Sequence, residues 1–338
     1  VGTTDATGNF SALLTSDQLT YDLLAQGGVD VSTGLDYLGM LKAPAGSTIL
    51  NPLTTLVQTM AADSLSANAT DAQRAQALAE AQATLKQALN LPDTDLTKLD
   101  LLKVSVGAAN SSTVTASDAV DIQAKAVMVA NLIKTGASAL EGASGGTTTA
   151  ADASKFVIQG LVQNLKTAAE TGQTVQLSDS TSIGTVLTAA LNNAAKDATV
   201  TLDTSKATDA MNATSVALAN VNEFITAAAG SAAGGGSVAQ ALTQVVHAQV
   251  IAQSDVANAL KSTSGNLTAV TALGNVADVR AAATGVNTSN LVLAQNVSAQ
   301  TVTADSTAPT ILRVGAKADA LTVYHEGDLL IFGVGFSE

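Results

Sequence analysis

The chain contains no cysteine, which excludes disulfides, thiolate nucleophiles and cysteine-ligated zinc and leaves the redox compartment open. It contains no tryptophan, and only 2% of its residues are aromatic. Ala, Thr, Ser and Gly dominate, so each buried residue removes little apolar area compared with a Leu- or Phe-rich core. Close helix contacts are the expected compensation. Positive charge is scarce too: 15 Lys plus Arg against 28 Asp plus Glu give a net charge of −13. No basic stretch could follow a phosphate backbone, so nucleic acid is not an expected partner. Long apolar runs are also missing. Mean hydropathy is positive, at +0.29, yet no run of ~18 or more apolar residues lacks a polar break, so no transmembrane segment is expected.

What the chain does have is helical periodicity. Asn51 followed by Pro52 fits an N-cap with proline in the first turn, which opens a helix to about Met60. Thr70 with Gln73 is a capping-box pair, and Leu78, Ala81, Leu85 and Ala88 then share one face until Leu91 and Pro92 stop the helix. Val120, Ala124, Val127, Ala130, Ile133, Ala137 and Leu140 recur every three or four residues over 117–140. Val157, Leu161, Leu165 and Ala168 do the same over 152–169. A shorter helix carries Leu187 and Leu191, and Met211, Leu218, Val221, Ile225 and Ala228 follow near-heptad spacing until Gly234, Gly235 and Gly236. The next helix runs over 237–260, with Ala241, Val245, Ala248, Ala252 and Leu260 inward. Short helices interrupted at Gly274 and Gly285 are expected after it.

Ahead of this region, Ser16 begins a helix signal that ends by Ala25 against Gly27 and Gly28, and 29–43 reads as short strands. The expected fold class is therefore mainly α. It comprises a multi-helix up-and-down bundle of amphipathic helices, flanked by short β segments, because short Gly/Ser/Thr connections favour antiparallel neighbours. Three regions follow: 1–46 as a β and short-helix segment, 47–300 as the helical bundle, and 301–338 as an incomplete β element.

Motifs that carry chemistry are few. His247 lies inside a helix and His325 in a turn beside Glu326. Neither belongs to a metalloprotease, nucleophile-elbow or P-loop pattern, so a helix-surface or helix-interface role is the expectation for His247. The triple glycine before Ser237 reads as a flexible break rather than an anion cradle. Asp93, Asp95 and Asp100 lie close together, but their spacing misses the EF-hand loop, and caps and a solvated turn account for them. Asp305, Glu326 and Asp328 are the better candidate calcium ligands, since a linker and a turn of one β module would bring them near the preceding domain. Asn-x-Ser/Thr triplets at Asn9, Asn68, Asn110, Asn212, Asn266, Asn287 and Asn296 follow from composition.

The C-terminal run is the most specific feature. Leu330, Phe332, Val334 and Phe336 alternate onto one face of a strand, as period-two patterning requires. The turn cluster at Gly8 and Asn9, followed by Phe10, suits the end of a hairpin whose first strand lies upstream. Both ends thus read as parts of β modules, and a leader is expected to have been removed or to lie upstream of Val1.

Two stretches resemble large bacterial cell-surface and adhesin proteins. The segment GGVDVSTGLDY at 27–37, continuing through LKAPAGSTILNPLTTLV at 41–57, resembles one that introduces a helical module in such proteins. DSTAPTI at 305–311, with Tyr324, Gly327, Asp328 and the closing Phe336, Ser337 and Glu338, resembles the opening half of a bacterial Ig-like domain. The resemblance covers about a fifth of the chain. It implies a secreted, cell-surface location, a partial Ig-like fold for 301–338, and calcium at domain junctions.

The chain departs from that pattern where outward strand positions usually carry Thr or Ser. Here they are Leu329, Ile331, Gly333 and Gly335, so the strand is apolar or bare on both faces and calls for cover on both sides.

The leading functional expectation is a structural subunit of an extracellular filament or surface layer. Its C-terminal strands, through Leu329, Leu330, Ile331, Phe332, Val334 and Phe336, would complete the β element of a neighbouring copy, and the N-terminal strand would receive or flank them. A helical spacer or binding module cut from a giant calcium-dependent adhesin is the second reading. An enzyme with an unrecognised carboxylate site is the third, and no motif favours it. No cofactor other than calcium is expected, and the expected partner is a further copy of the chain.

Overall fold

The computed structural model describes residues 22–286, apart from 31, 38, 67, 108, 110, 112 and 263–265, together with residues 4 and 8–10. The β element expected over 301–338, with its candidate calcium ligands and its assembly strand, lies outside the described residues. So does the start of the helix expected from Ser16.

The chain enters through two small antiparallel pairs, one nested inside the other. Strand β1 (Leu23–Gln26) pairs with β4 (Met40–Ala43), and between them β2 (Val29–Asp30) pairs with β3 (Leu35–Asp36). Gly27 and Gly28, at φ of 71° and 92°, make the corner from β1 to β2, a conformation that a Cβ would strain. The strand β1 corrects the helix expected to run to Ala25. Its residues pair with β4, and that long-range ladder overrides a weak local helix preference.

Helix α1 (Pro52–Ser64) then covers β4. The Asn51 side chain accepts from the Thr54 N–H at 2.9 Å and the Thr54 hydroxyl accepts from the Asn51 N–H at 2.9 Å, so the expected N-cap is a full capping box with Pro52 in the first turn. The Thr54 hydroxyl also donates to the Lys42 carbonyl at 2.9 Å, and the Thr55 hydroxyl accepts the Lys42 N–H at 3.0 Å. The outer edge of β4 is thereby satisfied by a helix instead of another strand.

The rest of the described chain is helical: α2 (Asp71–Ala88), α3 (Leu101–Ser105), α4 (Ala116–Ala143), α5 (Ala150–Glu170), α6 (Ser180–Lys196), α7 (Thr204–Ala233) and α8 (Val238–Val250). A π-helical segment (Ile251–Val256) follows without a break, then α9 (Ala257–Lys261), α10 (Thr268–Thr271) and α11 (Val276–Thr284). The abundant Thr, Ser and Asp have a structural use here. Thr70, Thr115, Thr149, Asp179, Asp203 and Ser237 each cap the helix that follows by accepting from a backbone N–H, each cap contributing about 1 kcal/mol.

Helix α4 runs through the centre of the bundle and is buried around most of its circumference, with Ile122, Ala124, Leu132 and Leu140 each at most 1% exposed. Its successors fold back by short connections. The Asp203 N–H, at the start of α7, donates to the Ala143 carbonyl at the end of α4 at 3.0 Å, so these two helices run in opposite directions. The scarcity of large side chains is met by direct backbone approach. A Cβ placed on Gly160 of α5 would lie 2.8 Å from the Ala190 nitrogen and 2.9 Å from the Val186 oxygen of α6. One placed on Gly142 of α4 would strike the Leu260 carbonyl oxygen of α9.

The helix expected over 237–260 runs unbroken over 238–261 with Ala241, Val245, Ala248, Ala252 and Leu260 buried as expected, and the π-helical segment within it is what the periodicity did not show. A wider turn there rotates the following residues, so that Ile251, Ala252, Val256 and Ala257 all reach the core. Such segments often adjoin polar or functional features.

Candidate functional site

The π-helical segment lies beside a polar seam between the β2–β3 hairpin and the bundle. Asp30 shapes the hairpin: one carboxylate oxygen accepts from the Ser32 N–H at 2.9 Å and from its hydroxyl at 2.6 Å, while the other accepts from Gln249 Nε2 at 2.8 Å. One turn further along the helix, Gln253 Nε2 donates to Asn131 Oδ1 on α4 at 3.0 Å. Asn131 is fully buried, and its Nδ2 has no hydrogen-bond partner. Two glutamines four residues apart thus fasten one helix to the hairpin and to α4.

Tyr37 and Lys134 complete the seam. Burial, reinforced by the Asp30 carboxylate, pushes the Tyr37 phenol up to about 12, so it is a neutral hydrogen-bonding group at any ordinary pH. Burial and the nearby Lys261 ammonium push Lys134 below the usual lysine range, and the Glu141 and Asp36 carboxylates oppose that shift. Lys261 itself pairs with Glu141 at 3.4 Å.

Asp36, Tyr37, Lys134, Ser154 and Gln253 share the wall of a cavity of about 30 Å³, enough for a water molecule and too small for an organic substrate. A serine beside a lysine with a lowered pKa is a combination that can perform nucleophilic chemistry. Here the Ser154 hydroxyl donates to the Ala151 carbonyl of its own helix at 2.6 Å, and no hydrogen bond to Lys134 is made. What the seam shows is the joining of elements, Asp30 of the hairpin to Gln249 and Asn131 of α4 to Gln253.

The acidic cluster at 93–100 is divided among local tasks. Asp93 pairs with Lys86 at 2.5 Å, Asp95 accepts from the Thr97 N–H and hydroxyl at 2.9 and 2.6 Å, and Asp100 caps α3. Among the described residues no group of three or more metal-ligating side chains is placed to hold an ion. No helix among them is long and apolar enough to cross a membrane. The triple glycine separates α7 from α8, and Ser237 caps the latter.

His247 sits on α8 facing the Ala283 carbonyl of α11, with Nε2 buried and unpartnered. Burial lowers its pKa below the ordinary 6.5, and the Ala283 carbonyl offsets part of that. The folded state therefore binds this proton less readily than the unfolded chain. The contribution to stability is complete above 6.5 and declines as pH falls through the lowered folded value. His247→Gln is expected to flatten the fall in melting temperature between pH 7.5 and 5.5, measured against the parent protein. An identical slope in both proteins would show that His247 does not set it.

Asp305, Glu326, Asp328 and the residues of the 329–336 strand lie outside the described residues, as does His325. None of the seam residues stands out by motif. The sequence signal for them is polar residues within apolar faces: Asn131 between Ala130 and Leu132, and Gln249 and Gln253 each next to an inward alanine. The hairpin that carries Asp30 and Tyr37 falls within the 27–37 segment on which the cell-surface resemblance rests. Comparison with protein-family models, with curated proteins and with solved structures finds no match.

Proposed function

We propose that this chain is a non-catalytic structural subunit of an extracellular bacterial surface assembly, a filament or a surface layer, whose copies join by β-strand pairing. The observation that carries the reading is the alternating residue pattern at 329–336, read as a strand. Leu330, Phe332, Val334 and Phe336 occupy one face while Leu329, Ile331, Gly333 and Gly335 leave the other apolar or bare, and such a strand is stable only when covered on both sides and paired at its edges. In this reading the helices form an up-and-down bundle that acts as a rigid body, and 301–338 is an Ig-like β element. The backbone-close helix contacts, the water-sized cavity and the bonds from Asp30 to Gln249 and from Asn131 to Gln253 support a structural part over a ligand-binding one.

Deleting residues 305–338 is expected to abolish assembly, followed by light scattering, while the helical circular dichroism signal is retained. Unimpaired polymerisation of the truncated chain would sink the proposal. The second reading, a spacer or binding module of a calcium-dependent adhesin, is favoured by the Asp305, Glu326 and Asp328 set. It calls for a monomer over a wide concentration range, whose melting temperature rises with added calcium.

A further inference from the structure

Among the described residues the strand β1 is paired along one edge only, and the geometry of β4 shows which backbone groups lie on each edge. In the antiparallel register Leu23 opposes Ala43, Leu24 opposes Lys42, Ala25 opposes Leu41 and Gln26 opposes Met40. Opposed pairs in such a ladder alternate between those that exchange hydrogen bonds and those that do not. The Lys42 N–H and carbonyl are both engaged by Thr55 and Thr54 of α1, so they point away from β1. The Leu24 and Lys42 pair is therefore of the non-bonded kind, and by alternation so is the Gln26 and Met40 pair. It follows that the N–H and carbonyl of Leu24 and of Gln26 point away from β4. Among the described residues no second strand pairs with β1.

Among the described residues this edge carries none of the usual guards against strand addition. Natural edges are protected by charge, proline, a bulge or a covering element, and β1 reads Leu, Leu, Ala, Gln. Asp22, just before it, is committed to the Ala45 N–H at 3.1 Å and to Gln58. β4 is held against α1 by Thr54 and Thr55, so the hairpin presents β1 on a fixed support.

We infer that the open edge of β1 is the acceptor for the 329–336 strand of a second copy of this chain. The inference rests on the assembly reading above and names the surface to which the strand docks. The incoming segment is uncharged between Asp328 and Glu338 and matches the uncharged edge. Its Gly333 and Gly335 leave room for another backbone to approach closely. Main-chain bonds from Leu24 and Gln26 supply the attachment, as in other cases of strand addition to a sheet edge.

The absence of cysteine makes a direct test available. Full-length Gln26→Cys chains are mixed with full-length Gly333→Cys or Gly335→Cys chains and oxidised. A disulfide-linked mixed dimer is expected with at least one partner, and no mixed dimer with either overturns the inference. A Gln26→Cys/Gly335→Cys double variant that links only within one chain also overturns it, since the strand then folds back on its own β1. Gln26→Pro removes an outward N–H without touching the β1–β4 bonds and is expected to raise the concentration needed for assembly at least tenfold. If deletion of 305–338 stops assembly while Gln26→Pro leaves it unchanged and no cross-link forms, the assembly reading stands and β1 is not the acceptor. If the deletion has no effect, the assembly reading itself fails.

Discussion

Gly142→Ala should destabilise the protein by about 3 kcal/mol, although alanine is the better helix former by about 1 kcal/mol. The reason is the position of the missing Cβ. It would fall on the Leu260 carbonyl oxygen, a backbone atom of α9, and within 3.4 Å of the Lys261 carbonyl carbon. A flexible side chain could move aside, but α9 can yield only by shifting as a whole. That shift would disturb the Lys261 to Glu141 pair and the packing of Leu260, which is 3% exposed. Gly230→Ala on α7 is the matched control. Nothing lies within 4 Å of a Cβ there, so the ordinary gain of about 0.5–1 kcal/mol is expected. Urea unfolding separates the two: the midpoint should fall for Gly142→Ala and rise for Gly230→Ala, with unchanged slopes. A Gly142→Ala midpoint at or above that of the parent would show that α4 and α9 do not cross at backbone contact.

A second large loss is expected from Asn222→Asp, a substitution that changes shape hardly at all. Asn222 is fully buried on α7; its Nδ2 donates to the Leu177 carbonyl at 2.6 Å and its Oδ1 has no partner. An ionised carboxylate at this position would face a carbonyl oxygen in a fully buried site. Full burial raises carboxyl pKa values by ~3–5 units, so at pH 7 the variant should lose about 4 kcal/mol. The sign follows from linkage. With the folded pKa above the unfolded one, the variant's stability is complete below the unfolded value near 3.9 and is lost as pH rises through the folded value. At pH 4 the neutral carboxyl can donate to the Leu177 carbonyl and replace the amide. The melting-temperature deficit relative to the parent should therefore be large at pH 7 and small at pH 4. An equal deficit at both values would assign the loss to altered packing instead of buried charge.

The two substitutions also mark how far the sequence could be read. Helix starts were legible because caps are local: Asn51 and Pro52, Thr70 and Gln73, and the glycine run before Ser237 act over one turn. The faces carrying Val120 to Leu140 and Val157 to Ala168 were legible because burial repeats with the helical period. The likeness of β1 to a helix was misleading, since its pairing partner lies some 17 residues away along the chain and long-range pairing leaves no local mark. The π-helical segment was invisible for the same reason.

The candidate site divides along that line. Composition alone required close helix contact, because a chain with no Trp and 2% aromatics has few large side chains with which to fill gaps between helices. Composition also left the chain without thiol chemistry. Which glycines make the contacts, Gly142 and Gly160 rather than Gly184 or Gly230, depended on where helices cross. The joining of Asp30 to Gln249, 219 residues apart, and of Asn131 to Gln253 depended on the same tertiary arrangement. So did the edge of β1 that no other described strand pairs. Caps and periods are properties of neighbours in the chain, whereas crossings, seams and free edges are properties of neighbours in space. The sequence by itself determined the first set, and only the folded structure could decide the second.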